Sequence, residues 1–195
     1  MIAQLHGTVA AVGATWVVVD VAGFGMRALC TPVTASAQRL GNETTLYTSL
    51  VVREDSLTLY GFAGADERDS FELVQTASGI GPKIALAVLA TLGPDDLRTA
   101  IAGGNVAALT RVPGIGAKGA QRLILELKDK VGQLAVAGQQ GTLASSWRDQ
   151  VKSGLEGLGW STRDAESACD RVAGLAETET SVAVLMRAAL QTLAK

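Results

Sequence analysis

Hydrophobic and polar positions divide the chain into parts of different periodicity. Residues 1–63 contain about five short runs rich in β-branched and aromatic residues, separated by Gly, Asn, Pro and Ser. These runs are residues 2–12, 16–21, 25–30, 44–52 and 57–62. About five strands in so short a segment predict either a closed OB-fold barrel or a generic small β domain.

Residues 64–133 change to helical periodicity. The stretch DERDSFELVQTA opens with acidic side chains, which suit a helix N-terminus, and places Phe71, Val74 and Ala77 at helical spacing. Pro94 marks a second helix start, and Asn105 is a candidate N-cap for a third. We therefore expect a helical domain over this segment.

The last part of the chain predicts a tethered helical module. Residues 134–145, LAVAGQQGTLAS, are small or polar and uncharged, which is typical of a flexible linker. Residues 146–195 predict three short helices with a small core, and Ser161 is a candidate N-cap there. Apolar residues recur at helical spacing in the first of these helices: Trp147, Val151, Leu155 and Leu158. The predicted class is α+β, with several domains.

Composition narrows the chemistry. The chain is 48% hydrophobic and 18% charged, so it should fold, and its net charge of −2 argues against a uniformly basic coat. Two cysteines far apart and one histidine predict neither a metal site nor a disulfide framework, and no cofactor is expected. We read no signal peptide at the start, and residues 84–90, the longest apolar run, are too short to span a bilayer. A cytoplasmic location is expected.

A seven-residue pattern occurs twice, 35 positions apart. SGIGPKIALAV (78–88) and VPGIGAKGAQR (112–122) share Gly-Ile-Gly-x-Lys-x-Ala. A Gly-x-Gly turn between helices permits positive φ and a close approach of backbone to ligand. The unpaired N–H groups of the following helix then form an anion site, to which Lys83 and Lys118 add charge. Two such sites suit two phosphates of a DNA duplex.

Other interpretations of these turns are a plain helix–helix corner and a dinucleotide-binding loop. Residues 114–119, GIGAKG, fit the G-x-G-x-x-G pattern, but they follow a helix-like segment rather than a strand. The chain contains no G-x-x-x-x-G-K-[ST] sequence, so we do not expect ATP hydrolysis by a P-loop.

The tandem turns resemble the helix–hairpin–helix motif of non-sequence-specific DNA-binding proteins. Together with VVREDSLTLYGF (51–62), they make the chain similar over nearly its whole length to the RuvA family of Holliday-junction-binding proteins. The resemblance implies a non-catalytic homotetramer, able to pair into an octamer, that holds the junction open and square-planar during recombination and repair. It also implies docking of the hexameric RuvB ATPase by the third domain, with RuvC resolvase as a further candidate partner.

The resemblance assigns roles to individual residues. It implies phosphate binding by the hairpin glycines, the two lysines and one arginine: Gly79, Gly81, Lys83, Gly114, Gly116, Lys118 and Arg122. Glu54 and Asp55 match an acidic pin at the junction centre, although without the family an ordinary solvated turn is the favoured explanation, and Arg53 is a further candidate DNA contact. Leu155 and Leu158 are our guesses for the RuvB-docking surface. Gly119 and Ala117 depart from the family's usual hydroxyl and basic residues, so the second hairpin is expected to bind less firmly.

Two rival functions follow from the same residues. Helix–hairpin–helix DNA glycosylases place a catalytic lysine near the position of Lys118, but they also need a downstream Asp. This chain has no acidic residue between Asp129 and Asp149. Single-strand binding by stacking would need aromatic residues on the barrel face, and those present lie mostly in apolar runs.

Overall fold

The computed structural model describes residues 2–138, 147–176, 179 and 181–193. The chain divides into two compact units, Met1–Gly138 and Gln139–Lys195. The first unit contains a β-barrel with its own apolar core and a helical region whose core includes Tyr60 and Phe62 of the barrel, and the second unit is helical.

The barrel forms because apolar residues alternate along five short strands. The strands are β1 (Gln4–Val12), β2 (Trp16–Val21), β3 (Phe24–Leu29), β4 (Glu43–Val52) and β5 (Leu57–Phe62). They close in the order β1-β2-β3-β5-β4, and β4 pairs with β1, which is the OB-type barrel predicted from the sequence. Inward-facing side chains fill the interior: Leu5, Val9, Val17, Val19 and Leu46.

A short helix that the sequence analysis did not predict lies between β3 and β4. Helix α1 (Pro32–Ala37) begins after Thr31, whose hydroxyl accepts a 3.2 Å hydrogen bond from the Thr34 amide. Only six residues long, it is too short to show a helical repeat of apolar positions.

Four helices follow the barrel. They are α2 (Ala65–Gln75), α3 (Pro82–Ala102), α4 (Val106–Leu109) and α5 (Ala117–Gly138). Gly93 breaks α3 with a φ of 70°, so Pro94 begins a new helical stretch as predicted. The predicted cap at Asn105 is also confirmed, because its side-chain oxygen accepts a 3.0 Å hydrogen bond from the Ala108 amide.

The barrel and the helical region are joined by aromatic and polar contacts. Ring centroids of Tyr60 and Phe62 on β5 lie 4.8 and 4.9 Å from that of Phe71 on α2. The Glu67 carboxylate accepts hydrogen bonds from both hydroxyls of the α1 start, Thr31 at 3.0 Å and Thr34 at 3.1 Å. These contacts hold the region on the barrel as one body.

Helix α5 is longer than the sequence analysis predicted. It continues to Gly138, five residues into the segment 134–145 that was predicted as linker. Leu and Ala are strong helix formers, so residues 134–137, Leu-Ala-Val-Ala, extend a helix that is already nucleated. The rest of the predicted linker, residues 139–145, lies outside the described residues.

The second unit packs three helices, α6 (Trp147–Gly157), α7 (Thr162–Ala176) and α8 (Val182–Leu193). Their core consists of small and medium apolar residues, among them Val151, Leu155, Ala165, Cys169 and Leu185. Ser161 caps α7 as predicted, since its hydroxyl accepts a 3.2 Å hydrogen bond from the Asp164 amide. In the described part of the chain, no helix is both long enough and apolar enough to cross a membrane.

Candidate nucleic-acid interface

The two glycine hairpins share a backbone hydrogen-bond pattern at the sequence offset of 35. Each isoleucine amide bonds back to the carbonyl three residues earlier, and each alanine amide bonds to the second glycine's carbonyl. The matched bonds are Ile80–Ala77 at 3.1 Å with Ile115–Val112 at 3.1 Å, and Ala85–Gly81 at 3.0 Å with Ala120–Gly116 at 2.9 Å. The sequence repeat is therefore also a structural repeat, α2–turn–α3 and α4–turn–α5.

The four hairpin glycines serve two different purposes. Gly79 and Gly114 have φ values of 82° and 90°, the left-handed region that other residues avoid. Gly81 and Gly116 do not have positive φ, and a Cβ at either position would meet no atom within 4 Å. Neither conformation nor packing requires glycine at these two positions. Their effect is to leave the start of the next helix open to a ligand.

Basic side chains stand beside both helix starts. Lys83 lies in the first turn of α3 and Lys118 in the first turn of α5, and both are exposed. Arg122 is exposed one turn after Lys118, on the same face of the helix. Within the described ranges, none of the three forms an ion pair. Each hairpin therefore offers free N–H groups and an unpaired cation to an anion.

The first turn of α5 has space for larger side chains. A Cβ on Gly119 would lie 3.7 Å from Ile115 Cγ2, which is an ordinary contact, and Ala117 is exposed. Steric crowding therefore does not explain why residues 117 and 119 are small.

The acidic pair lies at the tip of the β4–β5 hairpin. The Arg53 amide donates a 2.9 Å hydrogen bond to the Ser56 carbonyl, which leaves Glu54 and Asp55 as a two-residue turn. Arg53, Glu54 and Asp55 are all exposed, and in the part of the chain that is described none of them forms an ion pair. The turn therefore presents two exposed carboxylates at the end of the barrel.

A groove separates this acidic turn from the first glycine hairpin. It has a volume of about 570 Å³, with Arg53 and Asp55 on the turn side and Gly81 and Lys83 on the hairpin side. The structure thus brings together two groups of predicted residues that are nearly thirty positions apart in sequence. Tyr60, which also lines the groove, was not among the predicted site residues, because its place in an apolar run indicated only a core position.

The two residues guessed for partner docking have opposite environments. Leu155 has no exposed surface and lies in the core of the second unit, which does not favour the predicted partner contact. Leu158 follows the end of α6 and is 63% exposed. Trp160, two residues later, is also partly exposed, and the sequence analysis did not single it out.

Comparisons with known proteins cover nearly the whole chain. Residues 1–61 match the family model for the RuvA N terminal domain, residues 71–129 the SAM-like Helix-hairpin-helix tandem, and residues 146–194 the RuvA C-terminal domain. Among curated relatives, proteins of Cutibacterium acnes and Thermobifida fusca are 54% and 55% identical over 201 residues. A Nocardioides protein is 55% identical over 199 residues, and in all three cases both chains are covered completely. Each relative is named Holliday junction branch migration complex subunit RuvA. The chain belongs to the RuvA family.

Proposed function

We propose that this chain is a non-catalytic scaffold that binds four-way DNA junctions in an open form and recruits a RuvB-type ATPase for branch migration. One observation carries the proposal. A structurally repeated pair of anion sites and an exposed acidic turn are fixed on a single body. The names of the relatives give the junction and the complex.

The repeated hairpins account for binding without sequence readout. Backbone amides and exposed lysines at Lys83 and Lys118 recognise phosphates, which carry no base identity. Two sites of equal geometry suit two phosphates of one duplex arm. Such contacts release counterions, so affinity should fall steeply as salt rises.

The acidic turn accounts for the proposed preference for a four-way junction over a continuous duplex. Glu54 and Asp55 repel phosphates, so a continuous duplex lying across them is disfavoured, whereas an open crossover leaves space around them. In a homotetramer, four copies would bring eight carboxylates to the centre, two from each chain. A fourfold assembly, and an octamer formed from two of them, are part of this proposal because they match the four arms. RuvC resolvase remains a further proposed partner.

The second unit is proposed to dock the ATPase. Its apolar core is complete, yet Leu158 stays exposed next to the loop that joins α6 to α7. A small unit joined to a DNA-bound body raises the local concentration of its partner. A cytoplasmic location remains part of the proposal and is supported by Cys30 and Cys169, which are both free thiols.

Competitive gel-shift binding tests the proposal. The purified protein is offered a synthetic four-way junction and a duplex of equal length at one stated salt concentration. We expect a large preference for the junction, and equal binding would contradict the scaffold function. A parallel assay on damaged duplex should give neither base release nor strand cleavage, and either product would favour a glycosylase that uses Lys118.

A further inference from the structure

The groove between the acidic turn and the first hairpin contains an unpartnered tyrosine hydroxyl. Tyr60 is 4% exposed, and its ring packs against Phe71 with 4.8 Å between centroids. Tyr60 lines the groove, and among the described residues Ser70 Oγ is the sole fully buried side-chain polar atom without a partner, so the Tyr60 hydroxyl is not sealed away from the groove. A donor held in place on a groove wall and not used by the protein is available to a ligand that accepts from it.

The groups around this hydroxyl are mainly hydrogen-bond donors. Arg53 lies on the turn side of the groove, and Lys83 and the backbone of Gly81 lie on the hairpin side. Burial raises the pKa of Tyr60, against a smaller opposite effect of the Arg53 charge, so the phenol keeps its proton at neutral pH. A ligand surrounded by a phenol, a guanidinium, an ammonium and a helix start must itself be an acceptor, and it must be anionic.

Size and charge narrow the class of ligand. A volume of about 570 Å³ falls within the range of about 300–1,000 Å³ that is typical of ligand sites. Asp55 also lines the groove, and its carboxylate disfavours anions of high charge density. A singly charged phosphodiester fits this mixed lining better than a dianionic phosphate monoester does.

We propose that this groove binds a phosphodiester of the DNA strand that passes the crossover, with the Tyr60 hydroxyl as one donor. The inference rests on the proposed function and adds a third phosphate site to the two hairpins. It also makes the hairpins unequal. Lys83 then serves both the first hairpin and the groove beside the acidic turn, whereas Lys118 does not line that groove and serves the duplex arm alone.

The Tyr60→Phe variant removes the hydroxyl and keeps the ring on Phe71. We expect about tenfold weaker binding to the four-way junction, the effect of one hydrogen bond to a charged group, with duplex affinity unchanged within about twofold. The matched control is Tyr47→Phe, because Tyr47 is the only other tyrosine and lies outside the groove. It should bind junction and duplex as the parent protein does.

A double-mutant cycle tests whether the groove acts as a unit. Junction affinity is measured for Tyr60→Phe combined with Lys83→Ala and, separately, with Lys118→Ala. The losses should be non-additive in the first pair, since both side chains contact one phosphate, and additive in the second. Additive losses in both pairs would overturn the shared site.

The remaining outcomes separate the two proposals. If the parent protein prefers the junction and Tyr60→Phe matches it, the phosphodiester site is wrong and the scaffold function stands. If Tyr60→Phe weakens junction and duplex equally, the crossover assignment is wrong. If inorganic phosphate at constant ionic strength competes with junction for the parent protein more than for Tyr60→Phe, the groove is a free-phosphate site instead. A parent protein with no junction preference overturns the proposed function itself.

Discussion

The backbone amide of Ser78 donates a 2.8 Å hydrogen bond to Oε2 of Glu126, which joins the first hairpin to the helix that follows the second. A second hydrogen bond joins the same two segments, because the Lys130 ammonium donates to the Thr76 hydroxyl at 3.2 Å. The repeat units are therefore braced against each other through α5. Their spacing is set by the protein before any DNA is bound.

Loss of this brace should weaken DNA binding. We expect Glu126→Ala to lower duplex affinity about fivefold, the equivalent of about 1 kcal/mol, because the first hairpin is no longer fixed against the second. Glu126→Gln keeps an oxygen that can accept from the Ser78 amide and should retain most of the affinity. Gel shifts at constant salt compare the two variants, and equal losses would show that the hydrogen bond does not position the hairpins.

Alanine variants of the first and of the second glycine in each hairpin should affect different properties, namely folding stability and DNA binding. Gly79→Ala and Gly114→Ala should each lower the free energy of unfolding by about 1–2 kcal/mol, since their φ values of 82° and 90° strain any Cβ. Gly81→Ala and Gly116→Ala should stay within about 0.5 kcal/mol of the parent protein, because lower chain entropy in the unfolded state offsets a weaker helix cap.

The alanine variants at Gly81 and Gly116, which should keep their stability, should lose DNA affinity. A methyl group there obstructs the approach of a phosphate to the helix start, so affinity should fall about tenfold. Urea denaturation and duplex titration on the same preparations check both effects. Unchanged affinity for Gly81→Ala and Gly116→Ala would mean that phosphates do not approach these backbones.

Neutralising the acidic turn should strengthen binding to continuous duplex DNA. Glu54→Gln combined with Asp55→Asn removes two exposed charges, and we expect about fivefold tighter duplex binding at low salt, with a smaller gain at high salt. Glu43→Gln is the control, because Glu43 is an exposed carboxylate at the opposite end of β4. If the control gains as much as the turn variants do, net charge rather than position explains the effect.

Two buried serines near the barrel–helix contact predict opposite stability changes. Ser70 is 1% exposed and its hydroxyl has no hydrogen-bond partner among the described residues, whereas the Ser49 hydroxyl donates a 2.9 Å hydrogen bond to Glu72. Ser70→Ala should therefore keep or raise the free energy of unfolding by up to about 1 kcal/mol, and Ser49→Ala should lower it by about 1 kcal/mol. Denaturant titration of both variants checks the contrast, and a loss at Ser70 would reveal a partner for its hydroxyl.

High pH should destabilise the barrel through Cys30. Burial, and secondarily the Glu67 carboxylate, raise the pKa of this thiol from 9.0 to about 11. The folded state therefore retains a proton that the unfolded chain loses, so this contribution is complete below about pH 9 and disappears as pH approaches 11. The denaturant midpoint of the parent protein should fall more steeply over this interval than that of Cys30→Ala. Parallel slopes would show that the thiol does not titrate differently on folding.

Local signals in the sequence predicted most of the first unit. The runs 16–21 and 57–62 have the bounds of β2 and β5, because the β-branched and aromatic residues begin after a polar residue and end just before an Ala-Gly pair. The Asn105 cap and the break at Pro94 also rest on short-range chemistry, which survives in any tertiary context.

Features that depend on contacts distant in sequence escaped prediction. Helical spacing could not tell whether Leu155, a guess for partner docking, faces solvent or the core, and the packing of α7 and α8 buries it completely. Tyr60 looked like a core residue and is one, yet its hydroxyl reaches a groove formed with residues beyond position 80. Helix α5 passed its predicted end at residue 133 because an existing helix propagates more easily than a new one starts.

The aromatic contact of Tyr60 and Phe62 with Phe71 has a mechanical consequence. These contacts join the barrel to the hairpin region within the first unit, so that unit holds the acidic turn and the glycine hairpins at a fixed angle. Bound DNA must adopt the angle between the acidic turn and the glycine hairpins. The energetic cost of bending and unstacking therefore arises in the DNA and not in the protein. Substrates that are already bent and unstacked avoid that cost.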